Sequence, residues 1–373
     1  MKIGIVTFHR ANNYGAVLQA YALQQTVLQM GRDCEIVDYR NPHIDADIRL
    51  FAGFRGSLKN RLGRIVNHPI RLARKKVFDT FLQEHLHLSQ PYTAESIAQA
   101  DACFDSFFFG SDQIWNHALT GSDENYLGAF VADGSKRNAY AASFGETEIP
   151  SALLGSYRRE LSKFQNLAVR ECSGQQRLRE LTEKDAQLVA DPVFLLSAQQ
   201  WQGLIQEYKR PEKYIFMYHL QGKSTRIMEY AQHLSRATGL PIVEFQAWAK
   251  LRKRNVKPVY AGTPEEFLAL IQNAAYVVTD SFHCTALSVI FEKAFWAGVV
   301  PNKDVNKTRI GNLLLELGLE DRLLPTEPAD WKYRNELNYV AVREHLDRMI
   351  ANSRCYISSV LDEALHNAER IEQ

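Results

Sequence analysis

Short apolar runs that end in polar loops and lead into helices recur along this chain of 373 residues. Residues 276–295 show the pattern most clearly. The apolar run 276–278 (YVV) has the composition of a strand that is buried on both faces of a parallel sheet. Residues 279–281 then supply oxygens that can cap a helix, and an apolar segment of helical length follows. This alternation predicts an α/β fold with mostly parallel sheets.

The polar residues between this strand and its helix form the first candidate site. With a helix cap at Asp280 or Ser281, His283 falls in the first helical turn, above the carboxyl end of the strand. Unpaired amides at such a position attract anions, and an imidazole beside an anion predicts proton transfer. A histidine that makes only a structural hydrogen bond at a helix terminus is the alternative that position alone leaves open.

The N-terminal residues predict a strand, a helix and a second strand. The strands are expected at 2–8 and 34–39, with Gly31 ending the helix between them. Arg10, Asn13 and Gly15 then lie at the carboxyl edge of the sheet, where open α/β folds bind ligands. A loop that only turns the chain is the alternative, and no GxGxxG fingerprint of dinucleotide binding is present.

Two further apolar runs, at 106–109 and 138–142, also end in polar residues. Polar groups beside an indole predict a sugar-binding surface, whereas a capped turn with the indole in the core is the alternative. The residues concerned are Ser111, Asp112, Gln113, Trp115 and Ser143.

Length and pattern predict two domains. A chain of this size exceeds one ordinary core, and Pro192 interrupts regular structure where the strand–helix alternation starts again. We expect a Rossmann-like N-terminal domain at 1–190, a Rossmann-like C-terminal domain at 191–335 and a final helix at 336–373 that braces the domains. A cleft between the two α/β halves is expected.

Composition excludes several functional classes. The net charge of +1 gives no global field that would favour nucleic acid. The apolar runs are all shorter than the ~18 residues that a membrane helix needs. The five cysteines are scattered without CxxC spacing, which fits neither a disulfide framework nor a zinc site. We therefore expect a cytoplasmic protein without a metal site.

A basic insertion is predicted at residues 49–78, which carry nine arginines and lysines and no acidic residue. A solvated helical insertion is the ordinary interpretation. The alternative is peripheral contact with the anionic inner face of a membrane or with a lipid-phosphate acceptor.

The expected loops and strand ends also carry a set of cations that suits a small polyanion, because arginine forks match carboxylate and phosphate oxygens and lysine adds point charge. Surface solubilisation is the ordinary alternative for such residues. The set comprises Arg10, Arg170, His283, Lys303, Lys307 and Arg309.

Six segments in order along the chain resemble the polysaccharide pyruvyl transferase family. They are FHRANNYGAVLQAYAL (8–23), FGSDQIWN (109–116), YAASFG (140–145), VRECSG (169–174), DPVFLL (191–196) and TDSFH (279–283). The resemblance implies two Rossmann-like domains in the GT-B arrangement, with phosphoenolpyruvate as donor. It implies a cell-surface glycan or its lipid-linked oligosaccharide precursor as acceptor, and no cofactor.

The resemblance also implies roles for individual residues. His283 corresponds to the family's catalytic histidine, Arg170 to the arginine of its Arg-Asp/Glu motif, and Lys303 to a substrate lysine of some members. Many members carry Arg-Leu before the histidine, where this chain has Ser281 and Phe282.

The departure before the histidine removes one guanidinium that would bind a carboxylate. Arg309 or Lys307 is expected to supply the missing charge from the next loop, and Asp112 or Asp280 to take a hydroxyl proton. A GT-B glycosyltransferase that uses a nucleotide sugar and a non-catalytic glycan-binding relative are the alternatives.

Overall fold

The computed structural model describes residues 1–44, 68–205, 213–220, 225–246, 255–299, 305, 308–327, 331 and 337–372. Lys303, Lys307 and the first part of the basic insertion, residues 49–67, lie outside these ranges. The rest of the insertion belongs to a helix, His68–His85. Its contact with a membrane stays a prediction.

Strands and helices alternate along the described chain, as the sequence pattern predicts. The strands are β1 (Lys2–Val6), β2 (Asp33–Ile36), β3 (Ser106–Phe109), β4 (Arg137–Ala139), β5 (Ala168–Val169), β6 (Gln187–Leu188), β7 (Ile215–Tyr218), β8 (Ile242–Gln246), β9 (Val256–Tyr260), β10 (Tyr276–Thr279) and β11 (Ala294–Ala297). The α-helices are α1 (Tyr14–Gln29), α2 (His68–His85), α3 (His117–Thr120), α4 (Leu154–Leu161), α5 (Cys172–Thr182), α6 (Ala198–Gln202), α7 (Thr225–Thr238), α8 (Pro264–Gln272), α9 (Phe282–Ile290), α10 (Arg309–Glu316) and α11 (Tyr339–Glu372).

The described residues form two compact units. The first contains residues 1–44, 82–195 and 347–372, and the second contains residues 68–81 and the described part of 196–346. The predicted domain bounds of 1–190, 191–335 and 336–373 stay predictions.

The first unit is built on a parallel sheet with the strand order β2-β1-β3-β4. Isolated parallel bridges, Asn138 to Asn166 and Ala142 to Val169, continue it toward the pair β5-β6. β3 is buried at every position and contributes Phe107 and Phe109 to an aromatic core with Phe130 and Phe164. Burial on both faces explains why its sequence is an unbroken apolar run.

The second unit has a five-stranded sheet with the order β11-β10-β7-β8-β9, and its strand pairs are parallel. β7 and β10 are central and fully buried. The edge strand β9 was not predicted from the sequence, because Lys257 and Pro258 interrupt its apolar pattern. A proline is tolerated at such an edge, where no further strand needs its amide.

Helix starts and ends follow the local sequence closely. Thr263 accepts the amide of Glu266 while the Glu266 side chain accepts the amide of Thr263, and Pro264 occupies the first turn of α8. Gly31 and Gly318 follow α1 and α10 with φ of 76° and 66°, where a glycine carries no steric cost. The predicted end of the first helix at Gly31 is confirmed.

Replacing Thr263 by alanine removes the capping oxygen and leaves the Glu266 amide without its side-chain acceptor. We expect the free energy of unfolding to fall by about 1 kcal/mol, measured by urea unfolding. Thr263→Ser keeps the oxygen and is the matched control. Equal stability of the alanine and serine variants would contradict the capping role.

Candidate active site

Each sheet has one point at which the strand order reverses. In the first unit this point lies between β1 and β3, and in the second unit it lies between β7 and β10. Crossover connections leave such neighbouring strands in opposite directions and open a crevice at their carboxyl ends, where open α/β sheets bind ligands. The crevice between β1 and β3 and the crevice between β7 and β10 are therefore the candidate sites.

In the second unit, His283 lies in the first turn of α9, directly after β10. Ser281 is the N-cap residue, and its Oγ accepts the amide of Cys284 at 3.4 Å. Thr279 Oγ1 in turn accepts the amide of Ser281 at 3.0 Å. The predicted cap and the helical position of His283 are confirmed, and the imidazole is largely buried.

Asp280 connects the two strand ends at this crevice. Its Oδ1 accepts the amide of Leu220, two residues beyond β7, at 2.7 Å. One carboxylate oxygen of Asp280 therefore holds the loop after β7 against the loop after β10. Its predicted role as a proton acceptor stays a prediction.

Arg309 is the first residue of α10, and its guanidinium carbon lies 5.9 Å from the centre of the Phe282 ring. Phe282 also packs edge-on against the His283 ring, with 5.3 Å between ring centres. The structure thus brings Arg309 to the residue that precedes His283. Lys303 and Lys307, the other cations predicted for this loop, lie outside the described residues.

A histidine that the sequence analysis missed lies at the same crevice. His219 directly follows β7, and its Nε2 lies 3.0 Å from Oε1 of Glu244 on β8. Both side chains are buried. His219 follows an apolar run in the sequence, just as Asp280 does, so the same pattern could have indicated it.

In the first unit, Arg170 is held by three carboxylates. Its Nε donates to Glu171 at 2.9 Å, Nη1 to Asp191 at 2.6 Å and Nη2 to Asp112 at 3.3 Å. The guanidinium is 1% exposed. Although burial opposes the charged form, the three carboxylates raise the pKa of Arg170 above its usual value. Its predicted role in substrate binding stays a prediction.

The predicted serines belong to this Arg170 cluster. Ser111 Oγ donates to Asp191 at 3.0 Å, and Ser143 Oγ donates to Glu171 at 2.9 Å. Residues 111 and 112 follow β3, and the backbone carbonyl of Ser111 accepts from Thr7 Oγ1 after β1 at 3.1 Å. The cluster is therefore attached to the crevice between β1 and β3.

Gln113 and Trp115 lie differently. Gln113 Oε1 accepts from Asn116, whereas the Trp115 indole is 1% exposed and packs on Phe144 and Phe164. Of the two interpretations left open by the sequence, the structure places Trp115 in the core. A stacking surface for sugar at this indole would need it exposed.

The loop after β1 places Arg10 on Asp38, a buried carboxylate that follows β2. Arg10 donates to both oxygens of Asp38, Arg40 donates to Oδ2 at 3.0 Å, and His9 Nε2 lies 3.2 Å from Oδ1. Burial alone would raise the pKa of Asp38, but these partners lower it well below its usual range. Asn13 acts as the N-cap of α1, its Oδ1 accepting the amide of Gly15 at 2.9 Å.

The acidic partners Asp38, Glu171 and Asp191 were not predicted as site residues. Glu171 and Asp191 lie within the motifs 169–174 and 191–196, but the contacts of Arg170 with Asp191 and Asp112 join strand ends that are separated in the chain. A spacing pattern carries no signal for such contacts.

No group of three or more histidine, cysteine, aspartate or glutamate side chains is placed to hold a metal ion among the described residues. Burial raises the pKa of the Cys284 thiol to about 12, so this neighbour of His283 is a poor nucleophile.

No helix within the described ranges is long and apolar enough to span a membrane.

The whole chain is similar in fold to known GT-B proteins. A protein from Listeria monocytogenes, described as a UDP-N-acetylglucosamine 2-epimerase, is 11% identical with a TM-score of 0.52, covering 94% of this chain and 90% of the other. MnaA from S. aureus, solved with UDP, is 10% identical with a TM-score of 0.49, covering 95% and 89%. At 11% identity the likeness to the Listeria protein shows the fold alone, and the predicted α/β GT-B class is confirmed.

The family is defined by sequence. The family model for polysaccharide pyruvyl transferase matches residues 13–297. A comparison with curated proteins finds no significant match. The chain belongs to the polysaccharide pyruvyl transferase family, as the six motifs predicted, and membership indicates a transferase that acts on polysaccharide.

Asp38→Asn should be most destabilising at neutral pH. Because the folded-state pKa of Asp38 lies below its usual value of 3.8, the ionised carboxylate contributes stability that is full above about pH 5 and is lost as the pH falls below 4. We expect a loss of about 1–3 kcal/mol at pH 7, shrinking toward pH 3, in urea unfolding. Asp33→Asn, at an exposed carboxylate on β2, is the control. A loss for Asp38→Asn that is the same at both pH values would contradict the assignment.

Proposed function

We propose that this protein transfers the enolpyruvyl-derived pyruvate of phosphoenolpyruvate onto two hydroxyls of a glycan sugar. The product is a cyclic ketal, and phosphate is released, in cell-surface polysaccharide biosynthesis. The observation that carries the proposal is the position of His283, at the start of α9 and at the crevice of the second sheet, in a chain of this family.

The reaction begins with a proton. Protonation of the methylene carbon C3 of phosphoenolpyruvate makes C2 electrophilic, and a sugar hydroxyl then bonds to C2. In the second half, the bond from C2 to the phosphate oxygen breaks with its electron pair and a second hydroxyl closes the ketal. Carbon protonation needs a positioned proton donor, and phosphate departure needs positioned groups that stabilise the negative charge of the leaving group. Neither step needs a redox cofactor.

His283 is the general acid of this proposal. Imidazole donates and recovers a proton near neutral pH, and the first turn of α9 directs backbone amides toward an anion. Ser281 occupies the cap rather than a cationic position. The negative charge of bound phosphoenolpyruvate favours the charged imidazolium, so the substrate helps to prepare its own acid.

Arg309 contacts the ring of Phe282, which in turn packs against the imidazole of this acid. It neutralises the carboxylate or the phosphate of the donor, and Lys303 and Lys307 are proposed to add charge in the same loop. The role proposed for Arg170 is different. Bound to three carboxylates, it holds Asp112, Glu171 and Asp191 in place and so shapes the crevice of the first sheet.

The acceptor is proposed to be a glycan or a lipid-linked oligosaccharide, bound on the side of the first unit. Gln113 supplies an amide group of the kind that sugars require, and the buried Ser111 and Ser143 are proposed to shape this side of the site through Asp191 and Glu171. Arg10 and Asn13, in the loop after β1, are proposed to add to this acceptor site. A lipid-linked acceptor would place the enzyme at the inner face of a membrane, where the basic segment 49–78 would add affinity for anionic lipid.

Thermal shift separates the proposal from its two rivals, because a ligand that binds only the folded state raises the melting temperature. We expect phosphoenolpyruvate to stabilise the protein and UDP-sugars to have no effect. Stabilisation by UDP-sugars alone would instead favour a nucleotide-sugar glycosyltransferase. Glycan binding without phosphate release would favour a non-catalytic relative.

His283→Ala should lower kcat for phosphate release from phosphoenolpyruvate by about 10²-fold to 10⁴-fold, because the variant lacks the group that protonates C3. The measurement is phosphate release with a glycan acceptor. His345→Gln, at an exposed histidine of α11, is the matched control and keeps full activity. Turnover by His283→Ala at the wild-type rate would remove the acid role.

A further inference from the structure

The crevice of the second sheet is flanked by two strand ends, and only one of them carries the proposed acid. β10 leads to His283, whereas β7 leads to His219. In the register of the two strands Tyr218 lies opposite Thr279, so His219 lies next to Asp280 along the same edge. Neighbouring strands are about 4.8 Å apart. Two histidines thus border the place where this kind of sheet binds its ligand.

His219 is oriented by a buried carboxylate. Its Nε2 lies 3.0 Å from Oε1 of Glu244, and the two side chains are 7% and 2% exposed. A carboxylate accepts hydrogen bonds but does not donate them, so Nε2 carries the hydrogen and the lone pair of the neutral imidazole lies on Nδ1. A carboxylate that fixes the tautomer and stabilises the imidazolium is the arrangement that prepares histidine to accept a proton.

The strand end that carries His219 is anchored on one side and open on the other. The amide of Leu220 donates to Asp280, which ties this loop to the residue before the cap of α9. The Leu220 side chain is 47% exposed. The chain therefore passes from the core to solvent within one residue of the imidazole, whose Nδ1 atom is itself buried.

The two carboxylates predicted as proton acceptors are already engaged. Asp280 accepts the amide of Leu220 at 2.7 Å, and Asp112 accepts from the buried Arg170 at 3.3 Å. These contacts give both carboxylates a structural role at their own strand ends. A neutral imidazole is better matched to removing a proton near pH 7.

We propose that His219, oriented by Glu244, is the general base that takes the proton of the attacking acceptor hydroxyl. This inference rests on the proposed pyruvyl transfer. His283 gives a proton to C3, the hydroxyl oxygen bonds to C2, and the hydroxyl proton passes to Nδ1 of His219. The C2–O bond to phosphate then breaks, the second hydroxyl closes the ketal, and its proton leaves on the phosphate as hydrogen phosphate. Proton exchange through solvent returns His219 and His283 to their starting states.

His219→Gln tests the role, because the glutamine amide still reaches Glu244 as a donor but has no basic nitrogen. We expect kcat for phosphate release to fall by about 10²-fold to 10³-fold. The KM for phosphoenolpyruvate is expected to stay within about threefold and the melting temperature within about 2 °C, since the bond to Glu244 is kept. Glu244→Gln removes the charge without changing the volume and should lower kcat by more than about tenfold.

His233→Gln is the matched control, because His233 is a half-buried histidine on α7 in the same unit that stacks on Tyr230. It should leave kcat unchanged. Wild-type kcat in a folded His219→Gln protein would overturn the base role, as would a fall in kcat matched by a loss of stability. If His219→Gln does not fold, full activity of Glu244→Gln overturns the proposal and a selective fall in kcat supports it.

The same assay distinguishes this inference from the proposed function. A wild-type protein that releases no phosphate from phosphoenolpyruvate with any glycan acceptor removes the pyruvyl transfer, and the base role falls with it. An active wild type beside an equally active His219→Gln removes only the base role.

Discussion

Parallel strand pairing is the constraint on which the rest of this structure depends. It points the carboxyl ends of the strands of one sheet to one edge, and polar side chains follow the buried strands β3 and β10 where these strands stop. His219 and Asp280 are neighbours for this reason, although they are far apart in sequence. The candidate chemistry of each unit is thus a product of its sheet register.

The two crevices differ in how they handle charge. In the first unit Arg170 and Asp38 each lie among partners of opposite sign. These ion pairs are made with other side chains of the same unit. The second unit has three different features near the carboxyl ends of β7 and β10. They are the capped start of α9, the His219–Glu244 pair and the contact of Arg309 with the Phe282 ring. The first arrangement fixes shape, and the second is the kind that moves protons and stabilises anions.

Most of the second-unit site was predictable from local sequence, because an apolar run followed by Asp280, Ser281 and His283 fixes strand, cap and first turn together. The contacts of Arg170 with Asp112 and Asp191 were not, because the loops after two other strands deliver these carboxylates. The environment of Trp115 could not be predicted for a different reason. Tryptophan occurs both on sugar-binding surfaces and in cores, and the tertiary packing of Trp115 on Phe164 places it in the core. Edge strand β9 was missed since Pro258 breaks the pattern that marks buried strands.

The Arg170 cluster has a consequence for how this sequence can vary. Loss of one member leaves an uncompensated charge or an unsatisfied hydrogen bond in a region with almost no solvent, which costs several kcal/mol. A single substitution is therefore expected to destabilise the fold more than a paired replacement that keeps the charges balanced. Across relatives, positions 112, 170, 171 and 191 should covary as a set, and that correlation would trace the spatial contact without any structure.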